Sequence, residues 1–275
     1  MKAVAFSYHA PGSLPDALAR LGAGTDVATT MGGGQSLGPM LNLRLTRPDT
    51  VVDVSGLAEL RQVAPTPDGI RIGACVTHAQ IEDGVFAPLR GTMLQAVAGG
   101  IAYRAIRNRG TVGGSLAHAD PAADWVVVMS ALGARIAIAS TGGTREVPMD
   151  AFMIGAYTTV LADGELIAAV TVPQATAHSR WGYHKLCRKT GEFAEASCAA
   201  YFDASRRFAR IVLGALDGPP VVLRGLTRAV AAQGAAALTA SAVDDAVAQA
   251  APDKDAIDRK LYRTAVMRCV TQMLN

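Results

Sequence analysis

Two glycine-rich stretches hold the residues best suited to chemistry: Gly32, Gly33, Gly34, Gln35 and Ser36, and later Gly110, Thr111, Val112, Gly113, Gly114 and Ser115. Successive glycines let a backbone approach a ligand closely and turn neighbouring N–H groups toward one point, which favours an anion. Ser36, Thr111 and Ser115 add hydroxyl donors. A pyrophosphate suits such a pair. Either stretch alone reads as readily as an ordinary turn. Two in one chain, each beside small hydroxyl residues, favour a dinucleotide. Neither reads G-x-G-x-x-G in the strand–loop–helix context of the usual dinucleotide fold. The sequence also lacks a GxxxxGK[ST] loop, which argues against an ATPase.

Other reactive side chains are scattered. The cysteines, Cys75, Cys187, Cys198 and Cys269, form no CxxC pair. They suit buried thiols in a reducing compartment better than a disulfide framework, a zinc site or an iron–sulfur cluster. Redox chemistry here therefore calls for an organic cofactor. Arg104, Arg107 and Arg109 could neutralise a pyrophosphate or form a solvated or subunit-facing surface. His118 reads as an acid–base group or as a loop histidine. Asp124 opens an apolar helix, where burial is costly without a partner, and that favours a ligand contact. Lys185, between His184 and Leu186 of a strand, reads from local sequence alone as a surface lysine.

The elements that must position these groups follow from local rules. Ser13-Leu-Pro-Asp16 opens a helix from Pro15 to Leu21. A strand from Val27 to Met31 runs into the first glycine stretch, and Thr50 to Val54 is a second strand, followed by a short helix around Leu57 to Arg61. Val63 and Ile70 to Ile72 pair as a hairpin turned by Pro67-Asp68-Gly69. Thr77-His-Ala-Gln80 is a capping box for the next helix. Arg104 to Ser115 reads as a loop, and Pro121 starts an apolar helix through Trp125 to Leu132. Strands are expected at Ala134 to Ser140, Arg145 to Pro148 and Leu166 to Val172. A further hairpin is expected over 192 to 201 and 210 to 215, turned by residues 203 to 207. The end of the chain is alanine-rich and helical, with a last helix opened by Asp253 to Asp258 and carrying Tyr262 and Arg263. A domain boundary falls near Pro173 to Ser179.

Composition narrows the class. The chain has 275 residues, 50% hydrophobic and 18% charged, enough for a substantial core. A net charge of +3, spread along the chain, gives little reason to expect nucleic acid. No apolar run approaches the roughly 20 residues of a membrane span. The N-terminal MKAVAFSYHAPGSL has no apolar block before a small-residue cleavage site, so a mature cytoplasmic protein is expected.

The segments MGGGQSLGPMLNLRL and IRNRGTVGGSLAHADPAADW together resemble the FAD-binding medium subunits of xanthine dehydrogenase and carbon monoxide dehydrogenase type enzymes, the molybdenum hydroxylases. The likeness continues through ELIAAVTVP, YHKLCRKTGEFAEASCA, DGPPVVLR and the terminal Tyr262-Arg263. The resemblance implies an α+β fold with a two-lobed, vanillyl-alcohol-oxidase-type FAD domain over 1–175, its lobes split near 56, and a smaller sheet-and-helix domain over 178–275. Carried over by position, Gly32, Gly33, Gly34, Gln35 and Ser36 with Thr111, Val112, Gly113, Gly114 and Ser115 are the two pyrophosphate loops. Asp124 is the acidic residue approaching the FAD, Ile167 an apolar position whose backbone lies near it, and Lys185 a lysine near the flavin. A cation there favours the anionic reduced flavin. Gly32 stands where alanine is commoner, Ser115 where asparagine is, and Trp125 where a smaller apolar residue is.

The implied role is electron transfer without substrate chemistry in this chain, so no catalytic side chain and no metal ligand is assigned to it. Electrons would come from molybdopterin in a large subunit, through two [2Fe-2S] clusters in a small one, to the FAD here and on to an external acceptor. A (large-medium-small)2 assembly is implied. The substrate of the complex, an N-heterocycle, a purine, an aldehyde or carbon monoxide, is left open. A free-standing FAD oxidase with its own substrate site and a non-redox FAD-binding assembly module are the other readings.

Overall fold

The computed structural model describes residues 2–24 and 26–275 of the chain. Among the described residues three larger sheets succeed one another along the sequence, with helices between and over them, and Met153–Gly155 pairs with Thr158–Thr159 as a small two-stranded sheet. In the first, Thr50–Asp53 lies between Ser7–His9 and Ala28–Met31, all parallel. Val51 and Val52 of the central strand are buried, as a parallel sheet requires. The helix Leu14–Leu21 begins where expected: Ser13 accepts the Asp16 amide, and Pro15 sits in the first turn, where its missing N–H costs nothing. Ala17 and Leu18 pack in one cluster with Val52, Val54, Leu57 and Leu60. The short helix after the sheet is a single 3₁₀ turn, Ala58–Leu60.

The second sheet is antiparallel, in the order Val63–Thr66, Gly69–Gly73, Leu166–Val172, Arg135–Ser140, Gly143–Pro148. Its middle strand, Leu166–Val172, comes last in the chain. That strand is almost continuously apolar and all but Thr171 is buried. Against this sheet packs the helix Asp124–Leu132, every residue of which is buried. A helix apolar all round needs cover on all sides. The third sheet supplies the rest, since Ala199, Tyr201 and Val212 join the same cluster.

That third sheet runs Ser179–Leu186, Ala196–Asp203, Phe208–Gly214 and Val221–Val222, antiparallel throughout. The last helix, Ala256–Leu274, lies on its other face. Tyr262, Ala265, Val266, Cys269, Val270 and Met273 form the buried stripe, with helical spacing. Gly182 permits the approach: a Cβ there would stand 2.0 Å from the Cys269 carbonyl oxygen. Asp203, fully buried, accepts hydrogen bonds from Thr176, Ser179 and Ser205, which ties the segment leaving the second sheet to the third.

Two stretches differ from the sequence expectation. Residues 104 to 115 are not one loop but contain the helix Arg104–Arg107 and the start of a second, Val112–His118. Thr111 caps the latter by accepting the Gly114 amide, so Gly113 and Gly114 lie in its first turn and Gly110 precedes the cap. The helix expected from Pro121 begins at Asp124, because the Asp120 carboxylate accepts the Ala122 amide and holds residues 120–123 as a turn.

Candidate functional site

Between the first and second sheets lies a cleft of about 1000 Å³. Its walls bring together Gly32 to Ser36, Thr111, Gly113, Gly114, Ser115, Asp124 and Ile167, residues far apart in the chain. Val112 and Lys185 are not in the walls: Val112 is fully buried under the second glycine stretch, and Lys185 stands behind Asp124.

The glycine stretches touch. A Cβ on Gly33 would stand 2.0 Å from the Arg109 carbonyl oxygen and 2.8 Å from Gly110 Cα, and one on Gly32 would stand 2.9 Å from Thr111 Oγ1. Their amides differ in availability. Among the described residues, none of the N–H groups of Gly32 to Ser36 is taken by a backbone carbonyl. Gly34 adopts a left-handed conformation, φ +70°, which turns the amide run as an anion nest requires. In the second stretch every amide but that of Thr111 is already used. Val112 donates to Val76, Gly113 to Ala74, Gly114 to Thr111 Oγ1 and Ser115 to the Thr111 carbonyl. The expectation of a second backbone nest is therefore corrected: Gly113 and Gly114 serve close approach. The added Cβ of Gly113 would meet Ala74 Cβ at 2.4 Å, inside the protein and not in the cleft.

Asp124 is the buried acid of the wall, and its burial is compensated. Lys185 Nζ stands 2.9 Å from its carboxylate and also donates to the Gly100 carbonyl at 3.0 Å, while the Tyr183 hydroxyl donates a short hydrogen bond to it. Tyr183 and Lys185 come from the third sheet, so this cluster fastens the cleft to the C-terminal part of the chain. Burial, then the Asp124 charge, pushes the Tyr183 phenol well above its ordinary value, so it remains a donor. Ile167 lies at a bulge of the middle strand, where pairing with Arg135–Ser140 shifts between Ile167 and Ala169. Such a bulge frees backbone groups at the cleft edge.

The arginines divide. Arg104 pairs with Asp83 and Glu82, and Arg107 forks onto Glu82 while donating to the carbonyls of Ile101 and Ala102. Both are structural, and Arg107 fixes a stretch of cleft wall. Arg109 lies near the Tyr8–Asp53 pair. Burial raises the Asp53 carboxyl, and hydrogen bonds from Tyr8 and Ser55 with the Arg109 charge outweigh it, leaving it below its usual value. His118 lines the cleft with its ring 5.3 Å from that of Tyr157, a residue held at φ +55°.

Sequence reasoning missed His78 and Tyr183. His78 is hidden inside the capping box, and its surroundings are set by Trp125. Trp125 Nε1–H donates to His78 Nδ1 at 3.0 Å. Burial, with a smaller contribution from Arg107, pulls the His78 imidazole down to about 4. The unfolded chain thus takes up a proton near pH 6.5 that the folded chain refuses until about pH 4. Stability is complete above pH 6.5 and falls as pH drops toward 4, by on the order of 3 kcal/mol. Urea midpoints at pH 7 and 4.5 should show that loss in the native chain and a smaller one in His78→Phe.

The donor set fits an anionic dinucleotide: an open amide run, glycines where the chain segments meet closely, and a cavity with a largely apolar lining. Comparison with known proteins agrees. Residues 4–175 match the family described as FAD binding domain in molybdopterin dehydrogenase. The carbon monoxide dehydrogenase medium chain of Hydrogenophaga pseudoflava is 32% identical over 265 residues, 95% of this chain and 92% of that protein. Caffeine dehydrogenase subunit beta of Pseudomonas sp. (strain CBB1) is 34% identical, over 82% of this chain and 78% of that one. The solved carbon monoxide dehydrogenase of Hydrogenophaga pseudoflava lacking the Mo-pyranopterin moiety superposes with a TM-score of 0.91 at 31% identity, covering 99% of this chain and 98% of that one.

Proposed function

Because the chain belongs to the FAD-binding medium subunits of the molybdenum hydroxylases, we propose that it holds FAD in the cleft and relays electrons from a partner's iron–sulfur clusters to an external acceptor. The observation that carries this reading is the open amide run of Gly32 to Ser36, which shares one cavity with Thr111, Gly113, Gly114 and Ser115. When bound, FAD supplies the redox chemistry. The chain's own residues bind and orient it. The proposed contacts are Gly32 to Ser36, Thr111, Gly113 to Ser115, Asp124 and the Ile167 backbone, with Val112 and Lys185 acting from behind the wall.

In this reading residues 1–175 form the cofactor unit and 178–275 its support, joined through Tyr183, Lys185 and Asp124. A small subunit with two [2Fe-2S] clusters and a large molybdopterin subunit complete a cytoplasmic (large-medium-small)2 enzyme. Among the described residues no His, Cys, Asp and Glu group could hold a metal ion, and no helix is long and apolar enough to cross a membrane.

The purified full chain should release FAD on acid treatment, identified by chromatography. It should be reduced by dithionite and remain unreduced by purines, N-heterocycles, aldehydes or carbon monoxide. FMN alone, or flavin retained covalently, overturns the cofactor reading. Reduction by an organic substrate without partners overturns the relay and favours a free-standing oxidase.

A further inference from the structure

Resting on the FAD reading, we propose that His78 is a further cofactor-binding residue, whose Nε2–H donates to a phosphate oxygen of the pyrophosphate in a tautomer fixed by Trp125. The lock follows from donor inventory. An indole nitrogen only donates, so the His78 Nδ1 that it meets at 3.0 Å must accept, and the ring proton sits on Nε2. The ring is only 5% exposed and lines the cleft. Its Nε2 lies against Gly110, where an added Cβ would come within 2.8 Å. The His78 amide in turn donates to the Gly110 carbonyl, so ring and loop are held together.

Nε2–H makes no hydrogen bond to a described residue of the chain. His78 lines the cleft, so a ligand oxygen there would accept the proton that no described protein group accepts. The neighbouring loop sharpens the assignment, because the amides of residues 112 to 115 are already paired within the protein. On this side of the cleft the donors left for an anion are the Thr111 amide, the hydroxyls and His78. The first glycine stretch offers open amides. His78 balances it from the second. Burial keeps the imidazole neutral at ordinary pH, so it offers a hydrogen bond without a charge and needs no counter-ion when the cleft is empty.

The test is ¹⁵N-histidine NMR on the full chain freed of flavin, with ADP as the pyrophosphate probe and adenosine as the phosphate-free control. The native chain at pH 7 should show the Nε2–H tautomer, and ADP should shift that proton's resonance while adenosine leaves it in place. In titrations with FAD, His78→Phe should bind about tenfold more weakly. Trp125→Phe should bind several-fold more weakly and show mixed tautomers. An Nδ1–H tautomer, an adenosine response equal to that of ADP, or native FAD affinity in His78→Phe overturns the inference while leaving the FAD reading intact. A native chain that binds neither FAD nor ADP overturns both. If His78→Phe does not fold, the native-chain spectra decide alone.

Discussion

Gly33→Ala should strip the chain of flavin, lowering FAD affinity by at least about a hundredfold. The added Cβ would stand 2.0 Å from the Arg109 carbonyl oxygen and 2.6 Å from its carbon, whereas ordinary contact begins at 3.4 Å. Both atoms are backbone in a segment pinned by the His78–Gly110 and Val112–Val76 hydrogen bonds, so no side chain can swing away. The two glycine stretches must separate by more than 1 Å. Overpacking of this kind costs about 1–3 kcal/mol or more, and here the displacement falls on the proposed pyrophosphate cradle itself. Gly38→Ala is the control, because nothing stands within 4 Å of its Cβ position. Flavin-to-protein ratios after desalting, with fluorescence titration, read the effect. Full flavin occupancy in Gly33→Ala would mean that the cofactor does not depend on contact between the two stretches.

Lys185→Met should destabilise the fold by about 3–5 kcal/mol, the usual loss when one member of a buried ion pair is removed. Asp124 is 6% exposed and would keep only the Tyr183 hydroxyl as a partner. The double variant Asp124→Asn/Lys185→Met should recover most of the loss, since no unpaired charge then remains. Because Asp124 matches the lysine's charge at 2.9 Å, the effect on flavin potential should be much smaller than a lone cation would give. Urea midpoints of the two variants and the native chain measure the stability, and a redox titration measures the potential. A large potential shift with unchanged stability would place Lys185 against the flavin as an unpaired charge.

Local rules made the scaffold legible where a few neighbouring residues decide the outcome. The Ser13 cap, the Thr77–Gln80 capping box and the hairpin turn after Asp203 all form where composition places them. Residues 104 to 115 were misread because glycine is a poor helix former. Packing overrides that preference: only glycine fits at position 113 against Ala74. The cleft was legible in its glycines and in the family motifs. Its electrostatics were not, because Asp124 meets Tyr183 and Lys185 only after the third sheet docks on the helix that Asp124 opens. Lys185, a surface residue by local sequence, is buried for the same reason. His78 was invisible since its meaning depends on an indole donor 47 positions away.

The placement of Leu166–Val172 between Gly69–Gly73 and Arg135–Ser140 also sets an order of events during synthesis. Until that strand emerges from the ribosome, the two halves of the second sheet have no shared neighbour, and the apolar helix Asp124–Leu132 has lost half its cover. Pairing Ala169 with Gly73 closes a loop of nearly a hundred residues, a slow, long-range step. Both glycine stretches are translated well before this closure, yet the wall that contains Ile167 does not exist until it happens. Flavin loading should therefore be a late event in the life of the nascent chain. A ribosome stalled before residue 166 should display a polypeptide unable to retain FAD, and one released after the third sheet should retain it.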